Sequence, residues 1–164
     1  MSTRTAAGTA TTIEAVEDMP AIRISRDFAA TPAQLVRAHT DPELFVQWVG
    51  PDGMVMTIDH WDARTGGSWR YIDRSDEEEY AFRGCFHTVR EDRLVQTFTF
   101  EGFPDSVALE TTTFEDLGEG RTRLHVLSLF DSYASRDGML SSGMDVGLNA
   151  GHRKLDGLLA DGAL

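Results

Sequence analysis

Cysteine, proline, positive charge and long apolar runs are all scarce in this chain of 164 residues. Its single cysteine, Cys85, has no partner for an internal disulfide, which fits a reducing compartment. Because Cys85 sits in an apolar alternating segment, it reads as a buried, inert thiol. No stretch approaches the ~20 apolar residues that span a bilayer. Met1 to Thr12 lacks the apolar segment of a secretory signal, and Arg4 is alone where a mitochondrial-type presequence needs several arginines. The chain therefore reads as cytoplasmic, with no membrane partner. The 27 acidic and 15 basic residues leave 27 − 15 = 12 net negative charges, a surface that repels phosphate backbones and argues against nucleic acid. Also missing are His-x-His, His-Glu-x-x-His and Cys-x-x-Cys patterns, a Gly-x-Ser-x-Gly elbow, a phosphate loop and a dinucleotide fingerprint. No metal or cofactor is expected.

What is present is ordered by period. Residues 1–19 are polar, small and aperiodic and read as a flexible arm, followed by one domain over residues 20–164. Ala21 to Phe28 alternates with period two, as a half-buried strand does. Thr31-Pro32 and Asp41-Pro42 each open a short helix, with the polar residue as cap and proline in the first turn. Gly50-Pro51 stops the second helix. From Met54 to Phe130, alternating segments are separated by turn signals at Gly66-Gly67, Asp76 to Glu79, Glu91-Asp92, Gly102 to Asp105 and Gly118 to Gly120. The acidic turn reads as a solvated hairpin. Met144, Leu148, Leu155 and Leu159 then form one stripe of an amphipathic helix, along which Gly143, Gly147 and Gly151 recur every four residues. Each glycine costs a helix up to ~1 kcal/mol against alanine, so the three imply a close approach to the sheet or to a bound molecule.

The order is strand, two helices, six strands, long helix, an α+β arrangement with a seven-stranded antiparallel sheet. Seven strands at ~4.8 Å spacing are far wider than one helix of ~10 Å. An internal cavity of ~300–1,000 Å³ between sheet and helix is the geometric expectation.

The chain also resembles the START-like SRPBCC superfamily, in the branch related to the C-terminal domain of the heat-shock-protein ATPase activator. The resemblance runs from about residue 20 to 160 and rests on Ser25 to Phe28, Asp41 to Leu44, Trp48 to Pro51, Asp62 to Trp69, Phe82 to Gly84, Arg93 to Val95, Gly120 to Leu124 and Ser142 to Met144. It implies the helix-grip fold with a cavity under the last helix. Members of that superfamily include lipid carriers, polyketide cyclases, hormone receptors and cochaperones, so it implies no single reaction. Two positions depart from the pattern: Thr88 stands where many relatives have glutamate, and Leu148 where a tryptophan often follows the helix glycine.

The expected occupant is a small hydrophobic molecule, aromatic or lipid-like, lined by Trp48, Met56, Ile58, His60, Trp69, Tyr71, Phe82, Phe98, Met144 and Leu148. Each aromatic has a plain core reading beside this one. His60 has two readings: a strand end satisfied by solvent or a carboxylate, or a polar anchor on the face of Met54, Met56 and Ile58. His87 and His125 fall on outward faces, and His152 borders either the core or a pocket mouth. Asp62 and Arg64 flank the Gly-Gly turn and can pair. If the protein is an enzyme, a polyketide cyclase or dehydratase using His60 and Tyr71 as acid–base groups is the alternative. A cochaperone acting on a heat-shock ATPase is the third reading. The edge strand of such a sheet leaves room for a homodimer.

Overall fold

The computed structural model describes residues 10–164 and contains an eight-stranded, wholly antiparallel sheet with four helices. The strands are β1 (Thr12–Ala15), β2 (Ala21–Phe28), β3 (Val55–Trp61), β4 (Ser68–Arg74), β5 (Glu79–Val89), β6 (Arg93–Phe100), β7 (Ala108–Gly118) and β8 (Arg121–Leu129). Helices α1 (Pro32–Thr40) and α2 (Pro42–Trp48) follow β2, while α3 (Tyr133–Leu140) and α4 (Met144–Ala160) end the chain. In space the strands run β1-β2-β8-β7-β6-β5-β4-β3. The sheet is α+β and of helix-grip type, but with eight strands where seven were expected.

The additional strand is β1, from the segment expected as part of an arm; the rest of that arm, residues 1–9, lies outside the described residues. Its Ile13 pairs with Ile24 and packs against the core, an anchor too short to give a periodic signal. The helix count differs at Gly143, whose φ of 85° is left-handed. Such a residue cannot continue a helix, so it separates α3 from α4 and caps the latter. Both proline-marked starts are found. Thr31 accepts from the Gln34 backbone N–H while the Gln34 side chain accepts from the Thr31 N–H, a reciprocal capping box.

One face of the sheet carries the helices. Its rows are read from register: Trp69, Tyr71 and Asp73 on β4 lie opposite Gly84, Phe82 and Tyr80 on β5. Gln96 and Phe98 on β6 lie opposite Glu110 and Ala108 on β7, and Ser128 on β8 opposite Glu110 and Ile22. The α4 end of the core gathers Phe28, Leu35, Trp48, Phe114, Leu124 and Leu155. Arg26, with 4% of its side chain exposed, clamps α4 to β2 through a bidentate pair with Asp156 at 2.8 and 2.6 Å. In the same way Arg136 on α3 donates to the carbonyls of Val16 and Ala21, tying α3 to the β1–β2 turn.

The helix glycines do different jobs. A Cβ on Gly151 would stand 2.8 Å from the Trp48 carbonyl oxygen, so this glycine lets α4 cross the end of α2 rather than the sheet. Gly147 faces Pro51 at ordinary contact distance, and a Cβ on Gly157 would meet nothing. Gly157→Ala should therefore raise stability by about 0.5–1 kcal/mol through helix propensity. Gly151→Ala, despite the same gain, should lower it by about 1–2 kcal/mol through overpacking. Chemical denaturation of the two variants checks the opposite signs.

His152 is a core residue, 2% exposed, edge-on to Phe28 and with Nδ1 2.7 Å from Thr11 Oγ1. Burial, helped by the positive charge of Arg26, pushes its pKa down to about 3. His39, packed on Trp48 and Phe114, is likewise lowered by burial. An imidazole that resists protonation only when folded stabilises above its unfolded pKa near 6.5, and the contribution is lost as pH falls toward 3. Asp73, raised by burial to about 6, acts with the opposite sign between its unfolded pKa and pH 6. The stability of the native chain relative to His152→Gln should thus fall by about 3 kcal/mol between pH 6.5 and pH 4. Urea titrations across that range test it.

Candidate functional site

The inner face of β4, β5 and β6 is paved with rings. Trp69 stacks on Tyr71 with centroids 5.3 Å apart and planes at 18°, and Tyr71, Phe82 and Phe98 follow at 5.3 and 5.4 Å. One glycine permits this. A Cβ on Gly84, opposite Trp69, would collide with the Thr97 carbonyl and stand 2.7 Å from the indole ring. Without it Trp69 lies flat across β5. The indole pays for this position with its polarity, since Nε1 is the buried side-chain polar atom left without a hydrogen-bond partner among the described residues.

These rings occupy much of the width expected to be empty. Two depressions, of about 330 and 550 Å³, open on the surface. The first is lined by Gly102 to Ser106 with Asp131 and Ser135, the second by Gly53, Val55 and Arg74 to Glu77; neither is lined by an inner-face ring. Met56, Ile58, Phe82 and Phe98 on the sheet and Met144 and Leu148 on α4 pack against the core clusters, yet each keeps part of its surface accessible. Phe98 joins the ring cluster to Met144 and Leu148 of α4.

Eight of the ten expected lining residues come together here, namely Met56, Ile58, Trp69, Tyr71, Phe82, Phe98, Met144 and Leu148. Trp48 and His60 do not. Trp48 belongs to the cluster under the C-terminal half of α4 and gives its indole N–H to the Ala38 carbonyl at 2.9 Å. His60 is exposed, with Nε2 2.9 Å from Ser68 Oγ. A β-bulge between Ile58 and His60 breaks the alternation, so His60 does not continue the face of Met56 and Ile58. Cys85 is corrected too: it is exposed, because the alternation that turns Gly84 and Phe86 inward turns Cys85 outward. His87 is exposed, His125 is half-buried beside Glu115 at 2.8 Å, and Arg64 pairs with Asp62 at 2.9 Å.

The polar members of the inner face were not foreseen. Gln96, Glu110 and Ser128 form one cross-strand row beside Phe98, with Tyr71 and Asp73 on β4, beyond β5. Glu110 is surrounded by protein, and burial raises its pKa, opposed by the Gln96 and Ser128 hydrogen bonds. Burial chiefly, with the charges of Asp73 and Glu110, pushes the Tyr71 phenol above its ordinary value. The missed signal was parity: Glu110 lies in step with Ala108, Thr112 and Phe114, all buried. Among the described residues no group of His, Cys, Asp or Glu could hold a metal ion, and no helix is long and apolar enough to cross a membrane.

Comparison with known proteins places this geometry. The chain is similar in structure to protein Ms6760 of Mycobacterium smegmatis, with a TM-score of 0.81 at 23% identity over 92% of this chain and 97% of that one. A Rhodobacter sphaeroides protein matches with a TM-score of 0.81 at 26% identity, over 92% of this chain and 98% of its own. DynU16, a protein of the dynemicin biosynthetic locus, matches with a TM-score of 0.65 at 22% identity, over 87% of this chain and 48% of its own. A search of curated proteins returns no match. The family model described as "Activator of Hsp90 ATPase homolog 1-like protein" matches residues 29–160, and the chain belongs to that family.

Proposed function

We propose that this protein binds a small, ring-bearing apolar molecule between the inner face of the sheet and α4, with no defined reaction. The observation that carries this reading is the accessible surface kept by Phe82, Phe98, Met144 and Leu148, side chains that face the core side of the sheet. Apolar groups in that position normally close on one another. A guest would bury them, and its fit would be set by a few polar groups among many apolar ones.

A ligand present at 100 times its dissociation constant should add about 2.7 kcal/mol to stability. A thermal-shift screen of aromatic and lipid-like compounds reads this directly. Leu148→Trp should fill the space and abolish the response while the protein stays folded, whereas His60→Ala, on the outer surface, should leave it unchanged. A screen without hits, or a Leu148→Trp variant that responds like the native chain, would count against the reading.

A second reading, a cyclase-like enzyme, is favoured by the buried phenol of Tyr71 on the inner face and by the likeness to a protein of a biosynthetic locus. Tyr71→Phe should then remove turnover; His60, facing away, has no part in it. The family description also brings in ATPase activation, which a stimulation assay with a heat-shock ATPase addresses.

A further inference from the structure

The face of the sheet turned away from the helices has a centre without charge. Leu109 and Thr111 on β7 lie opposite Leu129 and Leu127 on β8, and opposite Thr97 and Val95 on β6. All six alternate with inner-face residues and so point outward. Cys85 of β5 adjoins this block, its backbone N–H donating to Thr97 Oγ1 at 2.8 Å. Leu109 and Leu129 are 42% and 37% exposed, and Val107, two residues ahead of Leu109, is 45% exposed. The open face of an antiparallel sheet normally meets water with polar residues, and a contiguous apolar block there marks a contact surface. Its borders also differ from the rest of the molecule. On one side Arg123 pairs with Asp27 at 2.7 Å, His125 meets Glu115 at 2.8 Å, and Arg23 stands opposite Glu14. On the other side Arg83 and Arg93 have no ion pair among the described residues. This face is thus neutral to positive on a chain whose net charge is -12.

We propose that this outward face is a homodimer interface, with Leu109, Leu127 and Leu129 of one copy packed against the same face of a second copy. Charge selects the occupant. Two copies of so acidic a chain repel over most of their surface, and here that repulsion is smallest. A basic partner is drawn to the acid elsewhere and meets Arg83 and Arg93 on this face. A second copy instead brings an equally uncharged centre, with Glu14 and Glu115 as counter-charges for the unpaired arginines. The area is sufficient. Four outward residues on each of β2, β8, β7, β6 and β5 cover roughly 650 Å² per copy at ~4.8 Å between strands and ~6.8 Å between same-face neighbours. The pair then covers about 1,300 Å², within the range of stable interfaces. The free edge of the sheet is a poorer route to a dimer, because the bulge between Ile58 and His60 on β3 interrupts the ladder that a partner strand would extend.

Sedimentation equilibrium of the full chain over about 1–500 μM reads the association directly, and an interface of this size predicts a dimer with a dissociation constant on the order of 10 μM. Cys85 supplies a second, native reporter, since it is exposed in the single chain and adjoins the block. Its reaction with a thiol reagent such as 5,5′-dithiobis(2-nitrobenzoate) should slow severalfold as the dimer forms. Leu109→Arg and Leu129→Arg, each at an exposed position, should weaken association by roughly tenfold or more while leaving the melting temperature of the dilute chain unchanged. Val55→Arg, on the exposed edge strand β3, should leave association as it is. A chain that stays monomeric throughout would overturn the proposal. So would a dimer undiminished by either leucine variant, a dimer lost in Val55→Arg, or a Cys85 reactivity indifferent to association. Protection of Cys85 in the native chain decides the matter even where a variant does not fold.

Discussion

A sheet of eight strands at ~4.8 Å spacing spans roughly 34 Å, and one helix of ~10 Å has to cover its inner face. The other features of the domain are responses to that mismatch. At one end α1 and α2 add apolar bulk, so that Trp48, Phe114 and Leu155 close into a conventional core. At the other end α2 contributes Phe45, which packs on Trp61 and Tyr71. There the width is taken up by rings laid flat on the strands, and Phe98 joins them to Met144 and Leu148 of α4.

Flat rings need a strand without side chains beneath them, and helix crossings need a helix without side chains at the crossing. Gly84 and Gly151 answer these two needs. Both positions are fixed by what a Cβ would strike, not by any demand for a left-handed backbone. Gly143 is the opposite case, placed by its φ alone. The same sheet face that accommodates the rings carries Gln96, Glu110 and Ser128, and the conflict between a low-dielectric setting and a carboxyl gives this region its chemical character.

The alternating segments were legible because burial of one face leaves a period of two, and the proline-marked helix starts because capping uses few residue types. Parity failed where the backbone departed from it. At His60 a bulge changes the facing direction, and no residue type announces it. The strand Thr12–Ala15 has one apolar residue that packs, too little to stand out from a polar tail. Glu110 was passed over for another reason: a glutamate among threonines reads as solvent-facing by chemistry, although its step with Ala108 and Phe114 places it inside. That Trp69, Tyr71, Phe82 and Phe98 would share the inner face was legible because large rings have few stable places outside a core. The extent to which they would fill the expected cavity depends on stacking geometry, which residue order does not encode.

Strand order has a consequence for how the chain reaches this state. Ala21 to Phe28 lies between β1, its immediate neighbour in sequence, and β8, which pairs with it from Leu129 back to Thr122. During synthesis the early strand can zip locally onto Ile13, but its other edge stays bare until the final strand has left the ribosome. An exposed apolar edge held that long invites pairing with another chain. Closure of this seam, far apart along the polypeptide, carries a large loop-closure cost, and the arginines at positions 26 and 136, which fasten the terminal helices over it, hold it once made.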